Sequence, residues 1–208
     1  MNNTIQVYTS ITGNFDRNIN NKDVLFFNHY NRFKHHKLNA KIYKALPHLF
    51  LDSEYSIWID GNVQLNCDPH RLVDMMNGKE LLVFKHPDRD CLYEEATNCI
   101  KLELDNERVI NEQIDRYLKQ GWTTNAGLAS CRLIVRRNTK NMNNLNTIWW
   151  SEICRGSMRD QISFPFVFRN SVQYIDHPNA YDNEFFKVLP HKITFFNKVK
   201  FKLTGKFH

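Results

Sequence analysis

The run Tyr55-Ser56-Ile57-Trp58-Ile59-Asp60-Gly61-Asn62 ends an apolar stretch in acid, glycine and amide. A strand that stops this way delivers two oxygen-bearing side chains, Asp60 and Asn62, to one point at a sheet edge. Carboxylate and amide oxygens suit Mg2+ or Mn2+ held jointly with substrate phosphates. Asp-Gly and Gly-Asn are also ordinary turn pairs, so a plain turn is the competing reading of these three residues alone. Other polar residues follow apolar runs in the same way: Thr9, Ser10, Thr12 and Gly13 after the first, His86 after residues 81–84. In open α/β sheets, ligands gather at the carboxyl ends of the strands. These residues therefore form one candidate set.

The elements that must position them read as strands alternating with helices. Residues 5–11 and 56–59 are predicted strands. The second lacks alternation, which predicts burial on both faces, as in a parallel sheet covered by helices. Residues 31–46 read as a helix, with Phe33, Leu38, Ile42, Ala45 and Leu46 at helical spacing and Pro47 closing it. Asp68-Pro69 caps a short helix running through Met76, and Asn77-Gly78 stops it. Residues 81–84 form a third strand, and 92–120 a mostly helical stretch ended by Gly121. A fourth strand spans 128–135, a helix 139–154, and a late strand 172–175. The alternation predicts an α/β fold with a mostly parallel central sheet flanked by helices on both faces. Residues 1–208 read as a single domain, complete or as one part of a longer protein.

Of the 208 residues 42% are hydrophobic and 24% charged, which fits a globular chain. No apolar run reaches the length of a membrane-spanning helix, and the first residues lack the pattern of a secretory signal. Five cysteines at wide spacings, with no Cys-x-x-Cys, predict free thiols in a reducing, cytoplasmic compartment and argue against structural zinc. The net charge of +6 lies partly in the tail, where Lys198, Lys200, Lys202 and Lys206 alternate with Val199, Phe201, Leu203 and Phe207. That alternation reads as an edge strand. A basic aromatic tail also suits peripheral contact with an anionic membrane. No nucleic-acid motif accompanies the charge, so nucleic acid is not an expected partner.

Five blocks carry a resemblance. They are Val7-Tyr8-Thr9-Ser10-Ile11-Thr12-Gly13-Asn14-Phe15-Asp16, Ala40-Lys41-Ile42-Tyr43-Lys44-Ala45-Leu46-Pro47-His48, the Tyr55 to Asn62 run, Lys85 to Ala96, and Trp149-Trp150-Ser151-Glu152-Ile153 with Ser157 to Phe164. In order and spacing they resemble a glycosyltransferase-like family. That family includes plant proteins named for mucilage synthesis and turgor-regulation defects, with bacterial and viral relatives. The blocks cover about residues 5 to 170.

The resemblance implies a GT-A type fold, a nucleotide-sugar donor (UDP-linked), a glycan, glycoprotein or glycolipid acceptor, and Mn2+ or Mg2+. By the same resemblance Thr9, Ser10 and Asp16 hold the nucleoside, and Asp60 and Asn62 stand where the usual Asp-x-Asp motif of GT-A enzymes stands. Asn in place of Asp removes one charge, which weakens the case for strict metal dependence. Asn125-Ala126-Gly127-Leu128 is similar to the Asn-Ala-Gly turn of retaining transferases such as glycogenin, where the Asn touches the donor sugar. Asp160-Gln161 is similar to their Asp-Gln pair beneath the anomeric carbon. Together these imply catalytic roles for Asp160 and Gln161 and transfer with retention. If the source is viral, the expected location is the host cytoplasm.

Among the histidines, His35 and His36 read as solvated, and His48 and His86 as lining the cleft. A late histidine completes the metal site in many GT-A enzymes, and His191 fits that role better than His177. Lys44, His86, Arg89, Arg159 and Lys192 are candidate donors to a leaving diphosphate, and Glu94 or Glu95 a candidate to position an acceptor. Two other classes stand beside the transferase: a non-catalytic nucleotide-sugar or glycan-binding module, and a metal-dependent phosphoesterase or nuclease. The second needs more clustered carboxylates and histidines than these strand ends supply.

Overall fold

The structure, a computed structural model, describes residues 4–12, 23–123, 126–176 and 179–191. Its frame is a six-stranded sheet in the order β2-β1-β3-β6-β5-β7. The strands are β1 (Ile5–Ser10), β2 (Val24–Phe27), β3 (Tyr55–Ile59), β5 (Leu81–Lys85), β6 (Ala129–Arg137) and β7 (Val172–Ile175), and β4 (Val63–Leu65) lies outside this sheet. β1 pairs in parallel with β2 and β3, and β5 with β7. β6 alone runs against both its neighbours, β3 and β5. Five strands therefore end at one edge, and β6 begins there.

The helices are α1 (His36–Ala45), α2 (Pro69–Asp74), α3 (Leu92–Lys101), α4 (Glu107–Lys119), α5 (Lys140–Arg155) and α6 (Asp160–Phe168). Period-two alternation splits each strand between two cores. Tyr8, Trp58, Leu81, Val83 and Ile134 face α1, α5 and α6. Val7, Ile57, Ile59, Leu82, Phe84 and Val135 face α2 and a small sheet made by β4 and β8 (Phe186–Val188). A third core joins α3, α4 and α6 through Leu92, Ile110, Tyr117 and Ile162. The expected α/β architecture, mostly parallel with helices on both faces, is what is observed.

Local signals hold where they rest on caps. Asp68 accepts from His70 N at the start of α2, and Thr139 from Met142 N at the start of α5. Gly121, at φ +73°, ends α4 in the left-handed region that glycine tolerates. Several expectations need correction. The helix expected from residue 31 begins at His36, and the Asn39 side chain instead accepts from Phe33 N and donates to Phe33 O in the segment before it. The stretch 92–120 is two helices, with Asn106 capping the second by accepting from Val109 N. Strands β2, β4 and β8 were not foreseen. The tail at 192–208, with its expected edge strand, lies outside the described residues.

Candidate active site

The shared edge opens into a cleft of about 890 Å3. β1 delivers Ser10, β3 delivers Asp60, β5 delivers His86 and the start of β6 delivers Ser130 and Arg132. Helix α1 presents Lys37, Lys41 and Lys44 to the same space. Their spacing of four and three residues puts them on one face. The N-terminus of α6 brings Arg159, Asp160 and Gln161. Six Lys and Arg side chains line the cleft against four carboxylates, an excess that favours an anionic ligand.

Lys44 is the centre of this arrangement. Its Nζ stands 3.1 Å from Asp60 Oδ1 and 2.7 Å from Asp160 Oδ2. Lys41 Nζ lies 3.0 Å from the same Asp160 oxygen. Trp58 Nε1 donates to Asp60 Oδ1 at 2.8 Å, so one carboxylate oxygen is committed to the protein. Burial alone would raise the Asp160 carboxyl, but Lys41, Lys44 and Arg159 override it and hold it far below the usual carboxylate range. Asp160 is also the first residue of α6, where the helix dipole favours an anion. Burial opposes the charge on Lys44 too, yet Asp160 and Asp60 push its pKa up. Burial wins at Lys41, whose pKa is lowered despite Asp160. The cleft floor is thus a charged Asp60–Lys44–Asp160 bridge.

A second charged group forms the neighbouring wall. Glu95 is buried and accepts from Arg89 Nε at 2.8 Å. Its other oxygen lies 3.9 Å from Arg159 Nη2. Arg159 donates to Gln161 Oε1 at 3.1 Å, and the Gln161 amide donates to Ala129 O and Ser130 O. Burial lowers the His86 pKa, and the neutral ring lies 3.1 Å from Arg89 Nη2. Glu95 therefore orients two arginines and is committed inside the wall.

The edge is built by a distortion in β6. Between Val83↔Ile134 and Lys85↔Ala129, β5 advances two residues while β6 advances five. Cys131 sits there at φ +56°, a left-handed conformation unfavourable for a residue with a Cβ. Such irregularities re-aim side chains beside functional sites. Here Ser130 and Arg132 turn to the cleft, while Arg132 O accepts from Asp60 N at 2.8 Å. The hydroxyls of Ser10 and Ser130 are buried without a hydrogen-bond partner among the described residues. Buried polar atoms are rarely left unpaired, so both are available to a ligand.

Asp60, Asn62 and His191 line the same cleft. Asn62 Nδ2 donates to Leu189 O at 2.9 Å, leaving its carbonyl oxygen as the group that suits a cation. One carboxylate, one amide oxygen and one imidazole match a divalent ion with Mn2+-like tastes. The described residues contain no cluster of three or more His, Cys, Asp or Glu with metal-binding geometry, so an amide must complete any set here.

Of the expected site residues, Ser10, Lys44, Asp60, Asn62, His86, Arg89, Glu95, Arg159, Asp160, Gln161 and His191 come together in the cleft. Asp16, Asn125, His177 and Lys192 lie outside the described residues. Thr9 lines a separate hollow of about 430 Å3 with Asp23 and Gln64, because β1 alternation turns it away from Ser10. Glu94 is exposed and outside the cleft lining, being one residue off the inward face of α3. His48 sits on a turn of 3-10 helix, Pro47–Leu49, and does not line the cleft. His36 does line it, contrary to the solvated reading. Lys37, Lys41, Ser130, Arg132 and Tyr181 were missed. The helical spacing of the three lysines was the available signal for two of them.

Fold and site define an α/β protein with a cationic cleft at the carboxyl edge of its sheet, over a floor of paired carboxylates and lysines. The chain belongs to the family described as TOD1/MUCI70, glycosyltransferase-like domain, whose model matches residues 19–194. It is 32% identical over 143 residues to the Arabidopsis thaliana "Probable hexosyltransferase MUCI70", covering 62% of this chain and 24% of that protein. It is 29% identical over 146 residues to the Arabidopsis thaliana "Alkaline ceramidase TOD1", covering 62% of this chain and 31% of that protein. The chain thus spans between about a quarter and a third of these curated relatives. A crystal structure of a glycosyltransferase involved in the glycosylation of the major capsid of PBCV-1 is similar with a TM-score of 0.46 and 10% identity. That match covers 83% of this chain and 80% of the other.

Proposed function

We propose that this protein transfers a sugar from a nucleoside diphosphate, UDP, to a glycan acceptor, with retention of configuration. The observation that carries this reading is the Asp60–Lys44–Asp160 bridge in a cationic cleft at the strand ends. Family membership supports the same reaction class.

In this reading the diphosphate lies over Lys44, Lys41 and Arg159, whose charges oppose the negative charge that builds on the leaving group. The nucleoside occupies the hollow lined by Thr9, Asp23 and Gln64, which shares Asp60 and Gly61 with the main cleft. Asp160 is held ionised, and so can stabilise positive charge at the anomeric carbon or attack it. Gln161 is fixed at both ends of its amide and sets the Asp160 side of the sugar. Asp60, Asn62 and His191 would hold Mn2+ or Mg2+, which supplies positive charge to the diphosphate. Hexose or deoxyhexose is the proposed sugar, and a glycan, glycoprotein or glycolipid the proposed acceptor. The cytoplasm is the proposed compartment.

Donor turnover with a panel of UDP-sugars and Mn2+, on the native chain and on Asp60→Ala, tests the reading. Turnover that Asp60→Ala abolishes supports it, and NMR of the first product reads the anomer. Turnover indifferent to the substitution sinks it. A non-catalytic nucleotide-sugar-binding module is favoured by one observation: position 62 offers a neutral amide oxygen to the cleft where a carboxylate would bring a second charge. Tight donor binding without turnover would select that module. Hydrolysis of a fluorescent ceramide by the same preparation would instead favour the activity named for the second relative.

A further inference from the structure

Tyr181 was not singled out by its sequence context, and no site given above uses it. It lines the cleft and is nevertheless 56% exposed. Exposed loop aromatics are usually free to move. This one is fixed through its neighbours. Its N–H donates to Asn179 Oδ1 at 2.9 Å, and its carbonyl accepts from Val188 N at 2.6 Å. The residue after Val188, Leu189, exchanges hydrogen bonds with Asn62 in both directions, at 2.7 and 2.9 Å. Arg132 Nη1 donates to Ala180 O at 2.9 Å. The Arg132 guanidinium then lies 4.7 Å from the centre of the Tyr181 ring. Arg132 O in turn accepts from Asp60 N. The ring is therefore mounted on the same frame that carries Asp60 and Asn62.

We infer that Tyr181, backed by Arg132, is a stacking platform for a saccharide, the acceptor of the transfer proposed above, on which this inference rests. A rigid tyrosine offers a large apolar face at low entropic cost. That face is electron-rich and complements the axial C–H groups of a pyranose. The guanidinium holds the ring by a cation–π contact and keeps donors beside it for the sugar hydroxyls. The nucleobase is the other flat partner a tyrosine could take. The hollow assigned to the nucleoside is lined by Thr9, Asp23 and Gln64 and does not include Tyr181, which favours the saccharide.

The test is saturation-transfer NMR on the intact chain with methyl β-D-glucopyranoside, methyl β-D-galactopyranoside, methyl α-D-mannopyranoside and uridine as probes. Transfer to the axial ring protons of at least one hexoside is expected for the native protein and for Tyr181→Phe. Tyr181→Leu keeps apolar bulk and loses the π face, so its hexoside Kd should be about five-fold weaker. No transfer to any hexoside, an unchanged Kd in Tyr181→Leu, or uridine displacing the hexoside would each overturn the inference. A circular-dichroism melt of each variant establishes that it is folded. UDP binding to the native chain, titrated separately, tests the donor reading without touching this one. Hexoside binding without UDP binding sinks only the donor reading, and the reverse sinks only the platform.

Discussion

Asp160→Asn removes one charge from the cleft floor while keeping the side-chain shape. Asp160 holds Lys44 at 2.7 Å and Lys41 at 3.0 Å, both largely out of water. At an effective dielectric constant near 20, each such pair attracts by roughly 6 kcal/mol before desolvation is counted. Desolvation consumes much of this, and removing one partner of a buried pair costs about 3–5 kcal/mol. Lys44 retains Asp60 at 3.1 Å, whereas Lys41 has no second ion pair among the described residues. Asp160→Asn should thus lose about 3–5 kcal/mol at pH 7, which in a chain of this size lowers Tm by about 6–20 °C. The pH dependence follows from the depressed carboxyl. A depressed pKa contributes stability that is fully present above the unfolded value, near about 4, and is lost as pH falls toward the folded value. The gap between native and variant should stay constant from about pH 5 to 8 and narrow only below about pH 4. Adding Lys41→Met to Asp160→Asn should recover part of the loss. Differential scanning calorimetry across this range is the assay. A Tm drop under about 2 °C at pH 7, or a gap that closes between about pH 6 and 5, would refute the reasoning.

Other consequences can be checked in the same way. Burial pushes the Tyr8 phenol up to about 12, against the opposing pull of Arg136 and Lys44. A raised phenol costs stability as pH climbs past its unfolded value near about 10, so native protein should lose roughly 2 kcal/mol more than Tyr8→Phe between about pH 10 and 12, read by urea titration. A Cβ at Gly156 would lie 2.6 Å from the Gln113 side chain, which is itself fixed by Ser157 N and Tyr117. Gly156→Ala should cost about 1–3 kcal/mol in the same urea titration. Lys44→Met leaves Asp60 and Asp160 without their shared cation and should weaken UDP binding about 10- to 100-fold by calorimetry.

Much of the frame was legible because its signals are local. The β3 run with no alternation, the Asp68 cap and the glycine after α4 each depend on neighbours in sequence. The small sheet was not legible, since Val63 pairs with Val188 across most of the chain and three-residue strands leave little pattern. Nor was the reversed direction of β6, because alternation is the same in either sense. In the site, Asp60, Lys44 and Asp160 were named from strand-end logic and family resemblance. Their ion pairing through one lysine depends on how α1 and α6 pack, which no spacing reveals. Glu94 or Glu95 was read as a candidate to position an acceptor because the pair follows the His86 block. The fold instead buries Glu95 between Arg89 and Arg159. One position of strand alternation puts Thr9 in the adjoining hollow, and one position of helical turn puts Glu94 outside the cleft lining. Ser130 and Arg132 were missed because only the left-handed Cys131 turns them to the cleft.

Whether the cleft receives a nucleoside diphosphate is tested most directly by isothermal titration of UDP into the native chain and into Asp60→Ala, with Mn2+ and with EDTA. Binding by the native chain that weakens in EDTA, and that loses its Mn2+-dependent part in Asp60→Ala, is the predicted result. No UDP binding by the native chain, or binding that neither EDTA nor Asp60→Ala alters, would contradict it.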